Sequence, residues 1–209
     1  LDTPILSDDA RRANFTNEGG VDGRTRFLHN VMGLWLLSES LRHWEPAATD
    51  AQRSSLLGEL LAEAAKVSSD VPIFDVNDPA FLPSGDIPER IRSWYLAHGE
   101  RAPETRAEVV RCIIESLAEA FASAVQEASR LADHDVSVIH LVGGGSQNTL
   151  LCQATANRSG LRVVAGPTEA TAMGNMLIQA RALGQLAPDL QAVREVVARS
   201  SHVIEYLPR

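Results

Sequence analysis

Three successive glycines, Gly143-Gly144-Gly145, stand between the β-branched, apolar run Val136-Ser137-Val138-Ile139-His140-Leu141-Val142 and a segment with helical character. A strand, a glycine loop and a helix in that order set backbone amides, unobstructed by side chains, at the carboxyl end of a buried strand, where α/β sheets bind ligands. Glycine also lets the main chain come close to a nucleotide and take dihedrals closed to other residues. A tight strand-to-helix turn holding no ligand would use the same residues. Spacing alone leaves both readings open, because the run is neither the G-x-G-x-x-G fingerprint nor a lysine-bearing phosphate loop. The only lysine is Lys66, on a peripheral helical segment, so any phosphate contact made by this chain comes from amides or arginine.

A second polar feature is Asn30, set in the most apolar stretch of the chain between Phe27 and Leu34. A polar side chain there needs a partner, which a neighbouring backbone group or a ligand could supply. On helical geometry Ser38 lies two turns further along, about 12 Å up the axis, with Gly33 between them able to admit something closely packed. Other residue types point to less. His29, His43, His98, His134 and His202 have no metal-ligand spacing, and His140 reads as a satisfied residue of a strand interior. Asp75, Asp78 and Asp86 read as turn and capping residues, and no Ser, His and Asp arrangement suggests a nucleophile.

The elements that must position these residues follow from periodicity and punctuation. Residues 1–25 read as loop with a short strand around Asn14-Phe15-Thr16, and Phe27, Val31, Leu34 and Leu41 predict a buried helix ending near Trp44. Asp50 is the expected cap of a second, peripheral helix, Val71 to Val76 a short strand, and Pro88 the opening of a third helix that ends near His98-Gly99. Thr105-Arg106-Ala107-Glu108 is a capping-box pattern ahead of the longest helix, which runs to about Ala132 and keeps its apolar spacing throughout. Strands are expected at 136–142, as an interior strand, and at 161–165, with a helix from Thr149 to Arg158 between them closed by Ser159-Gly160. Thr168 would cap the next helix, to Leu183-Gly184, with Glu169 complementing its dipole, and a last amphipathic helix covers Asp189 to Arg199. The predicted class is α/β with helix predominating.

Composition narrows the partners. The 209 residues are 44% hydrophobic, enough for one large domain or a lobe of something bigger. A formal net charge of -8, from 27 acidic and 19 basic residues, argues against nucleic acid or an anionic membrane surface and leaves a small molecule as the expected ligand. No apolar run approaches the roughly 20 residues of a transmembrane helix. Cys112 and Cys152 have no C-x-x-C spacing, which suggests neither a zinc site nor a disulfide framework and fits a reducing cytoplasm. The chain opens Leu1-Asp2-Thr3-Pro4, without an initiator methionine or a signal peptide, and both ends are expected to have been trimmed from a longer protein.

Gly143-Gly144-Gly145-Ser146-Gln147-Asn148-Thr149-Leu150-Leu151, followed by Gly166-Pro167-Thr168-Glu169-Ala170-Thr171-Ala172-Met173-Gly174-Asn175, resembles the C-terminal domain of the FGGY carbohydrate kinases. The earlier stretches Asn14 to Gly20 and Arg26 to Leu37 are similar to the rhamnulokinase branch of that family. These stretches, in order along the chain, are far more specific than one glycine motif and favour a nucleotide site. The resemblance implies the C-terminal, nucleotide-side lobe of the sugar-kinase, actin and heat-shock ATPase (ribonuclease H-like) fold, helix-rich with a central sheet. It would span residues 1–209, with the N-terminal lobe absent from this chain. It also implies ATP and Mg2+ as cofactors and L-rhamnulose as the sugar phosphorylated. By the match, Gly144 would contact ATP, with Gly143, Gly145 and Asn148 beside adenine and ribose, and Asn30 would reach the sugar.

Two departures qualify the match. Glutamine stands in rhamnulokinases where this chain has Ser38, so the nucleotide contact there needs a bridging water or is lost. The family's general-base aspartate, its phosphate-binding loop and the expected Mg2+ ligands lie upstream of the matched segment, and Asp2, Asp8, Asp9 and Asp22 do not replace them. The isolated chain is therefore expected to be inactive, with the missing N-terminal lobe as its partner. Another FGGY sugar kinase, such as a fuculokinase or a xylulokinase, is an alternative. So is a non-catalytic interaction module that keeps the fold, which the change at Ser38 and the apolar face of a severed lobe would favour.

Overall fold

Phe15 and Phe27 settle how the chain begins. In the structure, a computed structural model describing residues 1–209, their rings stack with centroids 4.7 Å apart across an antiparallel hairpin. Its strands are β1 (Phe15–Gly19) and β2 (Thr25–His29), paired with Phe15 opposite His29 and Asn17 opposite Phe27. The turn between them uses Asp22 at φ 59° and Gly23 at φ 71°. The helix expected to begin at Phe27 therefore does not. A link over residues 30–34 separates β2 from the helix α2 (Trp35–Trp44), because a cross-strand aromatic pair outweighs a helical spacing that Asn30 and Gly33 support poorly. A short helix, α1 (Asp8–Arg12), precedes β1 where loop was expected, and Ser7 caps it by accepting from the Ala10 amide.

The chain forms two compact units, Leu1–Val136 and Ser137–Arg209. In the first, α3 (Asp50–Ala64) is capped by Thr49 rather than Asp50. Thr49 and Gln52 complete a capping box, and Asp50 sits one residue inside the helix paired with Arg53 at 3.1 Å. Residues 71–76 form no strand. With no neighbouring strand to pair with, the Phe74 amide donates to Ser116 Oγ at 3.2 Å, and the buried Phe74 and Val76 side chains serve as core. The helix α4 (Ile87–Ala97) starts from Asp86, with Pro88 in its first turn, and buries Ile87, Ile91 and Tyr95.

These elements pack on α5 (Arg106–Ala132), whose 27 residues span roughly 40 Å. Its burial runs from Val109 to Ala122 and then gives way to half-exposed Ala124, Val125, Ala128 and Leu131, so the apolar spacing outlasts the core it serves. Within the buried half an ion pair joins Arg111 and Glu115 at 2.8 Å. The guanidinium also donates to the Ala64 carbonyl at 3.5 Å, at the last turn of α3.

The predicted capping box at the start of α5 is present, with Thr105 accepting from the Glu108 amide at 3.1 Å. Hydrogen bonds from the Glu104 amide at 2.7 Å and the Arg101 guanidinium at 2.9 Å hold the Glu108 carboxyl down to about 2. A depressed folded-state pKa contributes stability above the ordinary glutamate range, and that contribution disappears as pH falls towards 2. The stability difference between wild type and Glu108→Gln, followed by urea unfolding, should shrink as the pH is lowered from about 6 to about 2. A constant difference across that range would refute the assignment.

In the second unit β3 (Val138–Leu141) lies parallel to β4 (Arg162–Ala165), which pairs on its other side with antiparallel β5 (Ile204–Tyr206). β3 is thus an edge strand of this sheet and its His140 is exposed, contrary to the expected interior strand and buried histidine, because only β4 adjoins it. The helix α6 (Thr149–Ser159) covers the sheet with Cys152 and Ala156 against Val163 and Ala165, and it ends as predicted at a left-handed Gly160. Burial pushes the Cys152 thiol up to about 11, which keeps it inert packing. After α7 (Ala170–Ala182) and α8 (Leu190–Ser200), the unpredicted β5 returns the chain to the sheet. The last residues are fastened to α6: Gln153 Nε2 donates to the Leu207 carbonyl at 2.8 Å, and the Arg209 amide to Asn157 Oδ1 at 3.1 Å. No helix is long and apolar enough to cross a membrane.

Candidate nucleotide site

Because β3 and β4 are parallel, with Leu141 opposite Ala165, their carboxyl ends open on the same side and deliver two loops there, residues 142–148 and 166–169. This is the position at which parallel strands present ligand-binding backbone. The loops are tied to each other in both directions: the Gly143 amide donates to the Pro167 carbonyl at 3.1 Å, and the Gly166 amide to the Leu141 carbonyl at 2.8 Å.

Two glycines make that tie possible. Gly143 has φ 78° and Gly166 has φ 109°, values that side chains disfavour. A Cβ on Gly166 would also stand 2.9 Å from the His202 carbonyl oxygen, so the approach to β5 presses on the back of the second loop. Gly144 is the opposite case. It is exposed, it has no left-handed φ, and a Cβ there would meet no protein atom within 4 Å. The space above its backbone is open.

The turn itself is rigid. Ser146 donates from its hydroxyl to the Gly143 carbonyl at 2.7 Å and from its amide to the same oxygen at 3.0 Å. Residues Gly144 to Gln147 form one 3-10 turn, and the Asn148 amide donates to the Gly145 carbonyl at 3.1 Å. Asn148 is buried and its Oδ1 accepts from the Leu151 amide at 3.0 Å, so the side chain caps α6. Its oxygen is committed to the fold, which leaves Nδ2 as the group with chemistry to offer.

Gln147 and Thr168 join the site without having been singled out for it. Thr168 does not cap α7. Glu169 holds that position without a side-chain cap, and Thr168 Oγ1 accepts instead from Gln147 Nε2 at 3.4 Å. The contact links the two loops across 21 positions in sequence, and it depends on β3 and β4 being neighbours. Neither loop contains lysine or arginine, so their chemistry is that of amides, a hydroxyl and a carboxamide, with Glu169 the one charge at the rim.

The four predicted residues Gly143, Gly144, Gly145 and Asn148 are thus brought together in one loop. Asn30 and Ser38 belong to the first unit. Asn30 is exposed on the link between β2 and α2, and Ser38 is exposed on α2, its hydroxyl donating to the Leu34 carbonyl at 3.3 Å. In the same unit a cavity of about 390 Å³ lies between the hairpin, residues 73–77 and α5. His29 and Val31 line it while Asn30 between them does not. No three His, Cys, Asp or Glu side chains converge in the chain.

Residues 1–183 match the model of the FGGY family of carbohydrate kinases, C-terminal domain. A rhamnulokinase of Bacteroides thetaiotaomicron is 36% identical over 208 residues, covering 100% of this chain and 41% of that protein. Rhamnulokinases of Halalkalibacterium halodurans and Klebsiella pneumoniae are 39% and 40% identical, over 98% and 99% of this chain and 42% and 40% of their own lengths. The chain spans about two fifths of the length of these relatives.

Proposed function

The chain belongs to the FGGY family of carbohydrate kinases, and on that premise we propose that residues 1–209 are the nucleotide-side domain of an ATP-dependent kinase that converts L-rhamnulose to L-rhamnulose 1-phosphate. In that reaction the sugar's C1 hydroxyl oxygen bonds to the γ-phosphorus, the bond from that phosphorus to the bridging oxygen of ADP breaks, and the hydroxyl proton passes to a base outside this sequence. Such transfers rest on positioning and electrostatic stabilisation.

The observation that carries this reading is the pair of reciprocally tied loops at the carboxyl ends of β3 and β4, with open space over Gly144. ATP approaches the Gly144 backbone, Gly143 and Gly145 flank it, and Asn148 Nδ2 faces adenine or ribose. Asn30, exposed beyond β2, reaches the sugar. Ser38 either meets the nucleotide through a bridging water or loses that contact, since its side chain is shorter than the glutamine that stands there in rhamnulokinases. Mg2+ serves the parent reaction by neutralising phosphate charge, and no residue of this chain is assigned to it. The missing N-terminal lobe completes the protein, in the cytoplasm.

Calorimetric titration of the purified chain with ATP and ADP tests the nucleotide reading directly, with saturable binding expected. A coupled assay for ADP release should show no L-rhamnulose-dependent turnover by the chain alone. For the parent protein, a panel of L-rhamnulose, L-fuculose and D-xylulose should show phosphorylation of the first; preference for another sugar would move the proposal to a different FGGY kinase.

A further inference from the structure

We propose that the Thr168 hydroxyl, oriented by Gln147, donates a hydrogen bond to an oxygen of the nucleotide held over Gly144. The inference rests on reading the glycine loop as a nucleotide cradle and adds the second loop to it. Thr168 Oγ1 already accepts from Gln147 Nε2 at 3.4 Å, so the carboxamide occupies a lone pair and leaves the hydroxyl proton to point elsewhere. No acceptor in the chain takes that proton.

The backbone leading to this hydroxyl is also tied down. Pro167, its neighbour, accepts from Gly143, and the Gly166 amide donates to the Leu141 carbonyl, with the His202 carbonyl oxygen 2.9 Å from where a Cβ on Gly166 would stand. Thr168 therefore keeps its place beside the first loop, half-buried, with exposed Gln147 over it. A fixed neutral donor next to open backbone suits an oxygen acceptor, which on an adenosine nucleotide is a ribose hydroxyl or a phosphate oxygen. Thr168 is then a binding residue and Gln147 a positioning residue.

The test measures binding of ADP, 2′-deoxy-ADP, 3′-deoxy-ADP and adenosine to the purified chain and its variants. Thr168→Val should weaken ADP binding about two- to tenfold, the loss of one hydrogen bond, while Thr168→Ser restores it and Gln147→Leu gives a smaller loss in the same direction. If the acceptor is a ribose hydroxyl, the Thr168→Val penalty vanishes with the matching deoxy nucleotide. If it is a phosphate oxygen, the penalty persists with both deoxy nucleotides and vanishes with adenosine. A penalty equal for all four ligands, or equal in Thr168→Val and Thr168→Ser, overturns the inference. Wild-type binding with Thr168→Val unchanged also overturns it and leaves the nucleotide reading standing. Absence of all binding by the wild-type chain removes both.

Discussion

Replacing Gly144 by valine should leave the fold intact and remove nucleotide binding. The two halves of that expectation rest on one measurement of space. A Cβ at this position meets no atom of the chain beyond its two neighbours within 4 Å, and the backbone there has no left-handed φ that would exclude a side chain. The change in unfolding free energy should stay within about 0.5 kcal/mol, as for a surface substitution away from any special feature. Only a ligand could object. A nucleotide lying on the Gly144 backbone would be lifted by a methyl group and displaced by an isopropyl group. Gly144→Ala should therefore weaken ATP by roughly tenfold, about 1.4 kcal/mol, and Gly144→Val by more. Thermal melting and calorimetry on the same samples check both halves. Undiminished ATP affinity in Gly144→Val would mean that the loop is a turn and nothing more.

The second large effect is on stability. Arg111 and Glu115 are both buried on α5, and the guanidinium also reaches the carbonyl of Ala64 where α3 ends. Taking one charge away leaves the other in the interior without its counter-ion, which costs about 3–5 kcal/mol, a large part of the stability of a domain. Glu115→Ala is expected to lower the urea midpoint by that equivalent, or to leave the chain unfolded at 37 °C. Arg111→Met combined with Glu115→Leu should recover much of the loss, because desolvation is then no longer demanded of either charge. If the double variant is no better than Glu115→Ala, packing rather than charge governs the site.

What could be read from the sequence follows from how far apart the deciding residues lie. Thr105 with Glu108 and Gly160 at the end of α6 are local devices, and the structure has both where they are predicted, while Asp189, expected inside the last helix, caps it instead. The strands at 138–141 and 162–165 carry their own β-branched signal. The hairpin is different. Phe27 looks helical from its near neighbours and becomes a strand residue only because Phe15 stacks on it across a turn. In the candidate site, the glycines announce themselves because their chemistry is the absence of a side chain. The link between Gln147 and Thr168 exists only once β3 and β4 are set side by side, so no motif contains it. Asn30 and Ser38 carry no local signal strong enough for a role, and theirs comes from the resemblance to a family.

The strand β5 lies well outside the loops in sequence, yet the carbonyl of His202 backs directly onto Gly166, and the residues after it are bound to β4 and α6. For anyone altering the gene, the codons of residues 200–209 are consequently not spare. A stop or frameshift after Arg199 would reach the second of the two tied loops from behind, through the His202 carbonyl at Gly166. A lesion in those codons would disturb the geometry of the glycine loops from a segment further along the chain.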